Sequence, residues 1–250
     1  MWRDCKLEVV YEDRYFIAIN KPSGLLVHKS LIDKKEIYFA MKILRDQIGA
    51  WVYPVHRLDK PTSGVLIFAK DKDSARRLSE EFASHNMTKT YIAVVRGYLD
   101  EGIINHPLSL KLDKIADKNV KEKEPQEAST IYKSLARVEL DIAVGRYPKT
   151  RYSLVELKPK TGRKHQLRRH MKHLSHHIVG DTKYGRGEHN KMVRKHFECY
   201  RMLLHASTLE ITHPYTKERL VIKADIDETF QSIFKSFGWE EIYKKESLNV

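Results

Sequence analysis

Residues 65–69 read Val-Leu-Ile-Phe-Ala, an unbroken apolar run between Ser63-Gly64 and Lys70-Asp71. A run this short, with no polar alternation, reads as a strand covered on both faces. Such a strand needs a sheet with packing on either side, and the rest of the chain supplies the candidates. Residues 7–11 and 15–19 read as two strands with Glu12-Asp13-Arg14 as a hairpin link. Asn20-Lys21-Pro22-Ser23-Gly24 is a turn, because Pro sets one dihedral and Gly permits a positive φ. Over 35–50, Ile37, Met41, Leu44 and Ile48 fall on one helical face, and Gly49 ends the helix. Asp73 or Ser74 caps a second helix that carries Ala75, Leu78 and Phe82. Residues 90–99, 131–140, 152–158 and 219–224 read as further strands. Residues 164–174 read as a helix with Lys164, Arg168, Arg169 and Lys172 on a basic side, and a last helix over 227–237 buries Phe230, Ile233, Phe234 and Phe237. Helices and strands are interspersed without regular crossovers. The expected fold class is α/β (α+β), with a mixed, largely antiparallel long sheet and flanking helices in one domain over 1–250.

Residues 111–127 differ from this pattern. They are dense in Lys, Asp and Glu with few apolar anchors, and read as an exposed loop or arm. Across the chain, 46 Lys and Arg stand against 33 Asp and Glu, a formal charge of +13. That excess fits a polyanionic partner such as nucleic acid, and it fits solubility alone. No apolar run approaches the length of a membrane span, and the first residues lead into no signal core. With only Cys5 and Cys199, neither a disulfide framework nor a thiol-rich metal site is available, so a reducing, cytoplasmic compartment is expected.

Phosphate-loop, paired-glycine dinucleotide and His-Glu-x-x-His signatures are all missing, and Ser63 lacks the leading glycine of a nucleophile elbow. His165, His170, His173, His176 and His177 cluster, but Lys and Arg are interleaved and no carboxylate appears until Asp181. A basic surface is the favoured reading over a metal site, because a closed site wants several convergent ligands. Two stretches are denser in chemistry. In His56-Arg57-Leu58-Asp59-Lys60-Pro61-Thr62-Ser63-Gly64 a carboxylate lies between two cations, a setting that holds it ionised as a nucleophile requires. If the stretch is extended, Arg57 and Asp59 project to one side, His56 and Leu58 to the other. Ordinary turn chemistry accounts for the same Asp. In Lys158-Pro159-Lys160-Thr161-Gly162-Arg163-Lys164-His165-Gln166-Leu167-Arg168 a strand ends, Thr-Gly turns, and a helix opens with free amides. Those amides and the Arg side chains suit phosphate, and equally a solvated basic face.

At these residues the chain resembles the RluA-type pseudouridine synthases. Asn20-Lys21-Pro22-Ser23-Gly24 is similar to their first motif, and His56-Arg57-Leu58-Asp59 with Thr62-Ser63-Gly64 to their catalytic motif. Lys89-Thr90-Tyr91 with Val95-Arg96-Gly97 resembles their tyrosine motif, and residues 157–168 their third. The four occur in the family's order and cover most of the chain. Outside them, Lys111-Leu112-Asp113-Lys114-Ile115-Ala116-Asp117-Lys118, Gly145-Arg146-Tyr147-Pro148 and Arg168-Arg169-His170 resemble the members that modify uridine 65 of tRNA.

The resemblance implies a mixed α/β catalytic domain with its site in a central cleft. It implies Asp59 as the catalytic aspartate that starts the exchange of the uracil N1–C1′ bond for a C5–C1′ bond. It further implies Arg168 as the partner of Asp59, Tyr91 as the residue stacked on the target uracil, and Arg57 as the group that enters the RNA where the uridine has left. No cofactor, no metal and no obligate protein partner are implied; the expected partner is tRNA, with ribosomal RNA as the alternative. Only 19 residues precede Asn20, so no additional N-terminal RNA-binding domain is expected, which favours tRNA.

Overall fold

The computed structural model describes residue 2 and residues 5–29, 36–84, 87–109 and 124–248. In chain order the strands are β1 (Glu8–Glu12), β2 (Phe16–Lys21), β3 (Tyr53–Pro54), β4 (Ser63–Ala69), β5 (Thr88–Arg96), β6 (Gly102–Asn105), β7 (Ser129–Leu140), β8 (Thr150–Pro159), β9 (Leu204–Thr212) and β10 (Arg219–Lys223). The helices are α1 (Ala40–Ile48), α2 (Lys72–Ala83), α3 (Gln166–His173), α4 (Gly187–Phe197), α5 (Glu228–Phe237) and α6 (Glu240–Leu248). The chain divides into two compact units, each assembled from three segments. The first holds Met1–Lys89, Pro107–Glu127 and Ala206–Asp225; the second holds Thr90–His106, Ala128–His205 and Ile226–Val250.

In the first unit the strand order is β1, β2, β4, β9, with β3 beside β4 and β10 beside β9. β1 and β2 form the expected antiparallel hairpin. Asp13 closes it, its Oδ1 accepting from the amides of Tyr15 (2.7 Å) and Phe16 (2.8 Å). All seven residues of β4 are buried, as the apolar run predicts. Phe16, Val65, Ile67, Leu209, Ile211 and Ile222 pack into one core against Leu78 of α2. The cap of α2 is Asp71, two to three residues before the expected one; its side chain accepts from the Ser74 amide at 2.8 Å. α1 also begins later than its periodicity indicates. Phe39 is extended, and the amides of Ala40 and Met41 donate to the Leu26 and Val27 carbonyls. Those bonds satisfy helix-start amides that a further turn would otherwise have used. Ile37 is left 62% exposed. Gly49 ends α1 in the left-handed region as expected.

In the second unit the order is β5, β8, β7, β6, each neighbouring pair antiparallel. Side chains alternate across β5 and β8. Ile92, Val94, Tyr152 and Leu154 face Met192 and Val193 of α4 and the aromatic side of α5. Ala93, Val95, Val155 and Leu157 face Leu167 and Met171 of α3. α5 buries Phe230, Ile233, Phe234 and Phe237 as its pattern predicts, and Asp227 caps it. It is not the last helix, because α6 follows. α3 starts at Gln166, since His165 sits at φ 56°, outside helical geometry. The α/β class with largely antiparallel strands is the one expected from the sequence. Residues 111–123 of the charged 111–127 segment lie outside the described residues. At its end, Gln126 and Leu108 exchange two backbone hydrogen bonds.

Candidate active site

In the first unit the loop between β3 and β4 carries Arg57 and Asp59. Their side chains follow the extended pattern: Leu58 is buried, Arg57 exposed and Asp59 half-buried. His56 points inward, stacked on Phe82 with ring centroids 4.6 Å apart. Its Nε2 accepts from the Ile67 amide of β4 at 3.0 Å, so the ring must be neutral with its proton on Nδ1. Burial, aided by the Lys89 charge, lowers its pKa to about 3 and keeps it so. Arg57 lies near His28, whose pKa is lowered by burial and by the Arg57 charge.

The first motif clamps this loop. Lys21, in register with Gly64 across β2 and β4, is fully buried. Its ammonium donates to the carbonyls of Pro22 (2.8 Å), Leu25 (2.8 Å) and Lys60 (3.3 Å). Ser23 Oγ donates to the Pro61 carbonyl at 2.8 Å, and the Gly24 amide to the Lys60 carbonyl at 2.8 Å. The loop closes on itself through the Thr62 amide and the Asp59 carbonyl, 3.0 Å apart. Two motifs about 40 residues apart are therefore one structural piece that fixes the backbone immediately after Asp59. Gly64 ends the loop at φ +110°, where an added Cβ would lie 2.1 Å from the Ala206 carbonyl oxygen of β9. Only glycine fits there.

In the second unit Tyr91 stands on β5, in register with Leu157 of β8. It is half-buried against the cluster that includes Leu167 and Met171 of α3, the helix that also carries Arg168. Gln166 organises the turn into α3. Its Oε1 accepts from Thr161 Oγ1 (2.7 Å) and the Arg163 amide (3.0 Å), while its Nε2 donates to the Ser129 carbonyl (2.9 Å) and Thr130 Oγ1 (3.0 Å). Arg168 does not lie on a solvated basic side of α3: it is buried, with Nε and Nη2 donating to the two oxygens of Asp181 at 2.7 and 2.9 Å. Its guanidinium also lies 5.1 Å from the ring centre of Tyr184. Burial alone would raise the Asp181 pKa. The Arg168 hydrogen bonds and charge, with the amides of Tyr184 and Lys183, bring it below the ordinary carboxylate value. The fork fixes the Arg168 side chain in one geometry.

Arg57 and Asp59 thus share one loop of the first unit, and Tyr91 and the Arg168 helix share one cluster of the second. Sequence reading missed Lys21, Gln166 and Asp181 as the groups that hold these elements. For Asp181 the available signal was its position as the first carboxylate after the histidine cluster. Those histidines are tied into the structure: His165 to the Tyr184 hydroxyl, His170 to Thr130 Oγ1 and the His106 carbonyl, His176 to the Arg96 carbonyl, and His177 to the Tyr184 carbonyl. His173 stacks on His106. Among the described residues no group of three or more His, Cys, Asp or Glu is placed to hold a metal ion.

Residues 15–173 match the family model described as RNA pseudouridylate synthase. The chain is 57% identical to tRNA pseudouridine synthase C of Vibrio parahaemolyticus over 94% of this chain and 97% of that one. It is 55% identical to the protein of the same name from Vibrio cholerae, with the same coverage. The chain belongs to the RNA pseudouridylate synthase family. Among solved structures it is similar to human RNA Pseudouridylate Synthase Domain Containing 1, with a TM-score of 0.66, 28% identity, and coverage of 88% of this chain and 84% of that one. All four motifs of this pseudouridylate synthase, from Asn20 to Arg168, fall inside the family match.

Proposed function

We propose that this chain is a cytoplasmic tRNA pseudouridine synthase of the RluA type that isomerises uridine 65, with both units forming a single catalytic domain. The observation that carries this is the match, over almost the whole length of both partners, to proteins named tRNA pseudouridine synthase C. Asp59 is the nucleophile, on the loop that Lys21 and Ser23 hold rigid. The N1–C1′ bond breaks and a C5–C1′ bond forms; C5 gives up its proton and N1 gains one, so no electron carrier is called for. A uridine within a stem must leave the stack before it reacts, which costs a few kcal/mol. The exposed Arg57 fills the space it leaves. Tyr91 stacks on the extruded uracil, a contact worth about 1–3 kcal/mol. Arg168, pinned by Asp181 and Tyr184, supplies the positive charge that an ionised nucleophile needs.

The test incubates the protein with unmodified tRNA transcripts and with unmodified ribosomal RNA under a chelator, then maps pseudouridine at single-nucleotide resolution. New pseudouridine at tRNA position 65 is the expected result. Signal only in ribosomal RNA keeps the chemistry and overturns the substrate. Binding without product in either RNA overturns the enzymatic reading.

A further inference from the structure

The stretch Gly145-Arg146-Tyr147-Pro148 plays no part in the chemistry above, yet its Tyr147 and Pro148 line a cavity of about 660 Å³ in the second unit. That volume is in the range of pockets that hold small organic ligands. Val144 and Tyr147 exchange two backbone hydrogen bonds across Gly145 and Arg146, a tight turn in which Gly145 takes φ 61°. The turn presents the Tyr147 ring half in solvent, 52% exposed, with the Arg146 guanidinium against it. Arg96 lies on another wall. Its Nε donates to His189 Nε2 at 3.0 Å, and His189 Nδ1 in turn donates to the Tyr152 hydroxyl at 2.7 Å. That relay makes His189 an uncharged acceptor; burial and the Arg96 charge lower its pKa to about 4. Lys149 and Arg151 also face the cavity, and no described lining residue is a carboxylate. The carboxylates nearby are already engaged: Glu139 with Lys149 and Arg151, Asp141 with Lys149, and Glu188 with Arg186.

We propose that this cavity is a second RNA subsite, which takes one nucleotide other than the reacting uridine, its phosphate on Arg96 and its base against Tyr147. A fixed cation beside an exposed aromatic face is the combination that binds a nucleotide without reading its sequence. Arg96 is five residues along β5 from Tyr91, about 17 Å at the rise of a strand. The subsite therefore anchors a different part of the RNA from the base that Tyr91 stacks on. It rests on the proposed function and adds to it a grip on the substrate remote from the chemistry.

The experiment compares Tyr147→Ala, Arg96→Gln and the control Lys244→Gln, an exposed α6 cation outside the cavity, in the full chain. Initial rates on tRNA transcript are measured at several salt concentrations, with a thermal melt for each variant. Tyr147→Ala and Arg96→Gln should each raise KM about tenfold and leave kcat unchanged. Arg96→Gln should also lower the steepness of log KM against log salt by about 0.7–0.9, one phosphate contact, whereas Tyr147→Ala should not. Tyr147 is exposed, so its variant tests the idea even if Arg96→Gln folds poorly. Wild-type KM in Tyr147→Ala overturns the proposal, including the case in which a free nucleotide is the ligand. Equilibrium binding of the same tRNA is measured in parallel. If the wild type forms no pseudouridine, the proposed function fails, while weakened binding by the two variants still supports the subsite.

Discussion

Single side chains here act through the backbone they hold. Asp59→Asn removes the proposed nucleophile without touching the Lys21 clamp. It should abolish pseudouridine formation while tRNA binding, measured by titration, stays within about twofold. Arg168→Ala leaves Asp181 as a buried charge with only amide partners. It should cost about 3–5 kcal/mol in urea unfolding, as well as turnover. A small loss would mean that the ion pair does not hold α3. His56 makes a separate prediction, since its folded pKa of about 3 is below the ordinary 6.5. The folded state holds the neutral ring, so this contribution is complete above pH 6.5 and is lost as pH falls toward 3. The slope is at most about 1.4 kcal/mol per pH unit. His56→Gln retains an acceptor for the Ile67 amide and removes the proton. Its stability should therefore fall less steeply than wild type in that window, read from denaturant midpoints.

At the scale of elements, legibility followed pattern purity. β4 was readable because its buried run 65–69 is wholly apolar, and α5 because every buried position in it is apolar. β9 was not, since Leu-His-Ala-Ser-Thr-Leu-Glu-Ile-Thr dilutes a buried strand with His205, Ser207 and Thr208. α4 was hidden for the same reason: its buried side includes His189 and Asn190 beside Met192 and Val193. Asn190 is buried because Oδ1 accepts from the Gly180 amide and Nδ2 donates to the Asp181 carbonyl, partners in a preceding loop. The close approach of β4 and β9 at Gly64 is a further feature of the element scale. Gly64→Ala forces a Cβ against the Ala206 carbonyl at an unfavourable φ. It should destabilise by at least about 3 kcal/mol in urea titration. An intact midpoint would show that the two strands separate there at little cost.

For the whole molecule the charge of +13 has a measurable consequence. If Lys and Arg neutralise RNA phosphates, tRNA binding should weaken at least about tenfold between about 50 and 200 mM monovalent salt. Affinity that stays flat over that range would return the charge to solubility alone. The division into two units was not visible in composition. Each unit is made of three segments, and no change in residue usage marks where the chain passes from one to the other.

What the sequence determined by itself is local or additive: the buried run of β4, the aromatic face of α5, the hairpin at Asp13, the net charge, and motifs distinctive enough to carry the family. Tertiary structure alone decided which distant groups meet. Lys21 was a turn residue until burial made it the clamp on the Asp59 loop. Arg168 was one of four cations on a helix until Asp181, 13 residues on, took its fork. Phe39 stayed out of α1 because Leu26 and Val27 offered the next amides their carbonyls. In each case the deciding interaction joins residues that no periodicity links. It forms only where apolar packing has already excluded water, so that an unmade hydrogen bond or an unpaired charge becomes costly.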